Sequence, residues 1–222
     1  MLLIKKIPDL KQNKGKYMQY DYKYHIDDIP NNVLLKGDIA IDTEAMGLNN
    51  HRDRLCMLQI ADELNQIYLI HFTNQDFSAP NLKKCLKDES RVKIFHYARF
   101  DVAIIQKYLK IDVNNIFCTK IASKLCRTYT HYHSLSELCS ELLNIKISKQ
   151  QQLSDWGAKN LSEKQLHYAA QDVRYLHQLR DKLSSLLLRE NKHDIAESCF
   201  KFLPTKSKLD LLGWLEADIF TH

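Results

Sequence analysis

The sequence predicts an α/β fold, a mixed central sheet flanked by helices, with a helical C-terminal part. Two observations carry this prediction. Short apolar runs rich in β-branched and aromatic residues, separated by turn residues, fill the chain up to Phe95. Beyond about residue 98 the apolar residues recur at helical spacing. No linker rich in Gly, Ser or Pro divides the two parts, so strands and helices belong to one layered unit.

Each element has its own signal. Tyr20–Ile26 reads as an edge strand. The apolar residues of Val33–Ile41 lead into Asp42 and read as a core strand. Leu55–Ile60 and Gln66–Phe72 complete a three-stranded meander, with Asn49, Asn50, Asp53, Asp62 and Asn65 marking its turns. Pro80–Lys87 reads as a helix, and Arg91–Phe95 as a fourth core strand. Phe100, Ala103, Ile104 and Tyr108 line one helix face, and Ile116–Leu125 reads as a second helix. Ser134 and Glu137 form a capping box ahead of Leu138, Leu142 and Leu143. Ser162 and Gln165 form another, ahead of apolar residues recurring from Leu166 to Leu183, which predicts a helix of about 25 residues. Pro204 is expected to interrupt the helical pattern, and Leu209–Trp214 is a last apolar segment.

Composition narrows the class. Of 222 residues, 45% are hydrophobic and 27% charged, as in folded globular domains. Only 5 Gly and 4 Pro exclude collagen-like and low-complexity chains. No apolar run approaches the roughly 20 residues of a membrane span. Leu2–Ile4, followed by Lys5 and Lys6, is too short for a secretory signal. The net charge of +5 permits a phosphate-bearing partner without demanding one. The 6 cysteines include no CxxC pair and no zinc-finger spacing, which points to reduced thiols and a cytoplasmic protein.

Three acidic motifs could carry chemistry. Asp42-Thr43-Glu44 ends an apolar strand, and a period of two puts both carboxylates on one side. Such a pair is suited to a hard divalent cation, or is a solvated turn. Asp101 stands where a strand hands over to a helix, a position that the helix dipole alone also favours. Tyr168 and Asp172 lie four residues apart on one helix face. Tyr-x-x-x-Asp occurs five times, from Tyr17, Tyr24, Tyr97, Tyr108 and Tyr168, and only the last falls inside a long capped helix.

The conjunction is more specific than its parts. DTE at a strand end, an Asp at a strand-to-helix junction and YxxxD on a late helix, in that order, resemble the DEDD-type 3′–5′ exonucleases of the tyrosine subclass. Ile41–Leu48, Phe95–Ala103, Phe117–Ser123, Leu153–Trp156 and Leu166–Leu176 resemble ribonuclease D-like domains. Arg52–Cys56, Cys118–Lys124, Ser148–Gln152 and the tail from Cys199 resemble the short stand-alone nano-RNase C group. The resemblance runs from about residue 20 to the end, with the four acidic positions and the tyrosine all matched.

That resemblance implies a ribonuclease H-like, DnaQ-like exonuclease domain over residues 1–222. Its core spans about 20–190 and a helical extension about 191–222, without the added helical domains of larger ribonuclease D enzymes. It implies two divalent cations, Mg²⁺ or Mn²⁺, held by Asp42, Glu44, Asp101 and Asp172, whose oxygen ligands disfavour zinc. Tyr168 would orient the attacking water or help accept its proton. Leu48 resembles an apolar wedge between terminal bases, or is a plain loop or core leucine. Thr43, between the two acids, would contact the substrate. His96 and Arg99 would touch phosphate or sugar, with a surface salt bridge as the alternative for Arg99. Lys149, Gln150 and Gln151 would line the scissile region, or form a solvated loop. Tyr129, His131, Tyr132 and His133 would stack on bases or pack as an exposed loop. The implied substrate is very short RNA, dinucleotides such as pGpG above all, and the implied assembly a ring-shaped homo-octamer. The alternatives are an exonuclease on longer RNA or on DNA, and a catalytically silent nucleic-acid-binding module.

Overall fold

A computed structural model describes residues 22–148, 150–217 and 219–221. Its strands are β1 (Tyr22–Ile26), β2 (Ile39–Ala45), β3 (Leu55–Asp62), β4 (Ile67–His71), β5 (Lys93–Phe95) and β6 (Ile116–Cys118). Its helices are α1 (Pro80–Lys87), α2 (Ala98–Leu109), α3 (Thr119–Cys126), α4 (Leu135–Leu143), α5 (Glu163–Arg174), α6 (Leu176–Arg189) and α7 (His193–Leu211). The strands form one mixed sheet in the order β1-β4-β3-β2-β5-β6. β2, β3 and β4 make the antiparallel meander, whereas β1, β5 and β6 join it in parallel.

Every residue of β3 and β4 is buried, as a strand covered by helices on both faces must be. β1 is one edge strand, and its residues are half-buried (Tyr22, His25) or exposed (Lys23, Tyr24, Ile26). The β3–β4 turn is closed by the buried carboxylate of Asp62. It accepts from the backbone N–H groups of Leu64 and Gln66 at 3.0 and 2.9 Å, and from that of Lys36 at 3.1 Å. Both predicted capping boxes are present, Ser134 with Glu137 on α4 and Ser162 with Gln165 on α5. All six cysteines are free thiols. No helix among the described residues is long and apolar enough to cross a membrane.

Four expectations are corrected. The strand expected over Val33–Ile41 begins only at Ile39, where hydrogen bonding to β3 and β5 starts. The helix expected over Ile116–Leu125 divides into β6 and α3. Pairing of Ile116, Phe117 and Cys118 with β5 overrides a local helical pattern too short to resist it. The long helix from Ser162 breaks at Tyr175, whose φ of −107° and ψ of 0° end α5 before α6 starts at Leu176. Pro204 does not interrupt the last helix, which runs through it from His193 to Leu211. Proline's fixed φ suits a helix, and the hydrogen bond it forfeits is outweighed by packing. α7 lies along α2 and buries Ala196, Phe200 and Leu203. Leu209–Trp214 is accordingly the end of α7 and the turn after it.

Candidate active site

The site lies where β2 and β5 end side by side. The two strands are parallel neighbours, so α2, which follows β5, begins beside the carboxyl end of β2. Alternation along β2 then sorts the side chains. Asp42 and Glu44 project to one face, where α5 packs across β2, β3 and β4. Thr43 projects to the other, and its hydroxyl donates to Asp101 Oδ1 of α2 at 2.6 Å. α5 and α2 therefore bring carboxylates to one point from opposite faces of the sheet.

One ligand oxygen each from Asp42, Glu44 and Asp172 lies within 4.8 Å of the others. Asp172 is 8% exposed and Asp101 is 3% exposed. Asp101 falls outside the tight trio because it reaches the cluster from beyond Thr43. Burial pushes the Asp42 carboxyl up to about 7. Burial first, then the neighbouring carboxylates, push Glu44, Asp101 and Asp172 well above the usual carboxylate range. Four acids crowded in this way bind protons or a cation readily. Their all-oxygen donor set matches a hard divalent ion rather than zinc.

Tyr168 lies one helical turn before Asp172 on α5 and donates its phenol proton to that carboxylate. Burial and the surrounding carboxylates raise its pKa, so it is a neutral phenol at physiological pH. Its ring stands 6.1 Å from that of Trp156. Trp156 is buried, and its indole N–H has no partner among the described residues. α5 also tethers the loop before Trp156. Gln171 Nε2 donates to the Ser148 carbonyl at 3.0 Å, and Gln165 Nε2 to the Asp155 carbonyl at 3.0 Å.

These groups line a cleft of about 440 Å³ together with Leu48, His96, Tyr97, Lys120, Ser136 and Gln152. Leu48 is 84% exposed at its mouth. The loop carrying it is tightly closed: Asp53 accepts from the Asn49 backbone at 3.0 Å and donates its own N–H to the Asn49 carbonyl at 2.7 Å. A Cβ at Gly47 would meet Asp53 Oδ2 at 2.3 Å, so any larger residue there has to displace the carboxylate that closes the loop. A leucine held out by such a loop is not a core residue.

The remaining predicted contacts are placed differently. Arg99 does not line the cleft. Its guanidinium makes a bidentate pair with the buried carboxylate of Asp210, at 2.5 and 2.9 Å, and bonds the Leu215 carbonyl at 2.6 Å. The salt-bridge alternative accounts for it. Gln150 and Gln151 lie in the tethered loop outside the cleft lining, whereas Gln152 enters it. Lys149 lies outside the described residues. Tyr129 and Tyr132 are exposed, and Tyr129 donates to Glu141 at 2.8 Å. Lys120 was not anticipated as a site residue. It is the second residue of α3, just after β6, and sits over the Tyr97 ring, 4.2 Å from its centroid. Only the β5–β6 pairing puts it at the cleft.

Comparison with known proteins agrees with this geometry. Residues 22–188 match the family model of the 3′-5′ exonuclease. The exosome complex exonuclease RRP6 of Saccharomyces cerevisiae is 31% identical over 163 residues, 70% of this chain and 21% of the relative. Ribonuclease D of Desulfotalea psychrophila is 31% identical over 160 residues, 72% of this chain and 42% of the relative. The chain thus spans less than half the length of these relatives. Solved structures of Brucella melitensis NrnC match it over nearly their whole length. The one bound to pGG is 51% identical, with a TM-score of 0.88 over 92% of this chain and 100% of that one. The one with bound Mg²⁺ is 51% identical, with a TM-score of 0.85 over 90% and 98%. The chain therefore belongs to the 3′–5′ exonuclease family, as a ribonuclease D-like enzyme of the nano-RNase C type.

Proposed function

We propose that this exonuclease trims very short RNA, dinucleotides foremost, and releases nucleoside 5′-monophosphates by two-cation hydrolysis. The observation that carries the chemistry is the convergence of Asp42, Glu44 and Asp172, with Asp101 beside them on the far side of Thr43. Asp42, Glu44 and Asp172 would hold one cation, and Asp42 with Asp101 a second, each Mg²⁺ or Mn²⁺. When bound, the cations supply charge stabilisation and a nucleophilic water at neutral pH. The chain's own groups do the rest. Tyr168, a neutral phenol, orients the attacking water through its hydroxyl. The water gives up a proton to solvent as its oxygen adds to phosphorus, the P–O3′ bond of the penultimate nucleotide breaks, and O3′ leaves with a proton from solvent. Leu48 packs against the terminal bases, and Lys120 offers its ammonium group to a phosphate.

Preference for dinucleotides is supported by the full-length likeness to a protein solved with pGG. The resemblance of the sequence to the nano-RNase C group further implies a homo-octameric assembly, a cytoplasmic location and a one-domain organisation with a core over about 20–190 and a helical extension beyond it.

The test is cleavage of 5′-labelled RNAs of two to seven nucleotides with Mg²⁺ or Mn²⁺, beside Asp42→Ala. The reading expects fast loss of the dinucleotide while longer species linger. Equal or faster trimming of the longest RNA leaves a general ribonuclease D-like exonuclease. No metal-dependent cleavage at any length leaves a binding module.

A further inference from the structure

His96 follows β5 directly and lines the cleft with Asp42 and Asp101. Its Nδ1 stands 2.9 Å from Thr119 Oγ1. Thr119 is fully buried, and its hydroxyl donates to the Phe95 carbonyl at 3.1 Å. A hydroxyl has one proton to give. With that proton on Phe95, Thr119 accepts from His96, and the imidazole must carry its hydrogen on Nδ1. The other nitrogen, Nε2, is then a bare lone pair. Burial, with the nearby Lys120 charge, holds the ring down to about 3, so it stays neutral at working pH. Among the described residues nothing bonds Nε2. Its ring nitrogens are not among the ligand atoms that converge within 4.8 Å of one another on Asp42, Glu44 and Asp172.

An acceptor in this position recognises a donor. A phosphodiester offers none at neutral pH. At the carboxylate end of the cleft, where the reacting phosphate must sit, the donors on a nucleotide are its sugar hydroxyls. We infer that His96 Nε2 accepts a hydrogen bond from a sugar hydroxyl of the 3′-terminal nucleotide and is a specificity-determining residue. This rests on the proposed reading as a nuclease of short RNA. It assigns His96 to sugar and not to phosphate.

The experiment uses dinucleotides whose 3′-terminal residue is unmodified, 2′-fluoro or 3′-fluoro. Fluorine occupies the hydroxyl's place without donating. The wild-type chain, with its cations, should lose about 3- to 10-fold in kcat/KM on one fluoro substrate, the range of one neutral hydrogen bond. Which substrate suffers identifies the 2′ or the 3′ hydroxyl as the source. His96→Phe should remove the difference by slowing only the unmodified substrate to the fluoro rate. Its Mg²⁺ requirement should be unchanged. Thr119→Val, which frees the tautomer, should fall between the two and guards against a His96 variant that fails to fold. The inference is overturned if wild type cleaves all three substrates alike, or if the fluoro penalty survives in His96→Phe. Failure of wild type to cleave any dinucleotide sinks the parent reading itself, an outcome distinct from cleavage without discrimination.

Discussion

Replacing Asp42 with asparagine should stabilise the cation-free protein while abolishing its activity. Burial pushes the Asp42 carboxyl up to about 7, against 3.8 for the unperturbed group. The folded-state value lies above the unfolded one. The associated stability is therefore fully present below about pH 3.8 and is lost as pH rises toward 7. The gap between those two values corresponds to at most ~4 kcal/mol lost by pH 8. The asparagine amide keeps the shape of the carboxyl and cannot ionise, so that loss disappears. Thermal melts in chelator at pH 5 and pH 8 make the comparison. Wild type should fall in melting temperature between these values, and Asp42→Asn should fall less and melt higher than wild type at pH 8. For a domain of this size 1 kcal/mol is worth about 2–4 °C, so the gap is several degrees. Mg²⁺ should restore wild type at pH 8 and leave the variant unmoved. Cleavage of a dinucleotide by the variant should be undetectable. An Asp42→Asn protein less stable than wild type at pH 8 in chelator would refute the argument that burial disfavours the ionised Asp42 carboxyl in the fold.

Further predictions separate positioning, substrate contact and stability. Thr43→Val removes the 2.6 Å bond that favours ionised Asp101. The acid limb of the pH–rate profile should move to higher pH at limiting Mg²⁺, by about 1–2 units if the bond is worth ~1.5–3 kcal/mol. An unmoved limb would show the bond to be idle. Leu48→Ala should raise KM for dinucleotides several-fold and leave the melting temperature unchanged, because an 84% exposed side chain packs against nothing in the free protein. A drop in melting temperature would instead mark it as a structural residue. Arg99→Ala should lower stability by ~1–3 kcal/mol, measured by urea unfolding, because it strips one partner from Asp210, which is 2% exposed. A large rise in KM at unchanged stability would return Arg99 to the phosphate.

Much of the fold can be read along the chain because its signals are local. The capping serines Ser134 and Ser162, and the alternation that ends in Asp42 and Glu44, act over a few residues and depend on no distant partner. Elements set by competition cannot be read that way. β6 exists because β5 offers it an edge, not because Ile116–Cys118 reads as a strand. α7 survives Pro204 because α2 lies along it, and one long amphipathic stretch divides at Tyr175 into α5 and α6.

The same division runs through the site. Residue type and local period offer Asp42, Glu44, Asp101, Tyr168 and Asp172 as candidates, since a strand or helix turn fixes which of them share a face, and the resemblance of their order to a known exonuclease motif set singles them out. What no local rule contains is the strand order. The parallel pairing of β2, β5 and β6 puts their carboxyl ends side by side, and so decides which loops meet. It brings Asp101 to Thr43, Thr119 to His96 and Lys120 to the cleft. It also lets α7 carry Asp210 to Arg99. Chemistry follows from side-chain type and is legible in the sequence; partners follow from long-range packing, which only the folded chain decides.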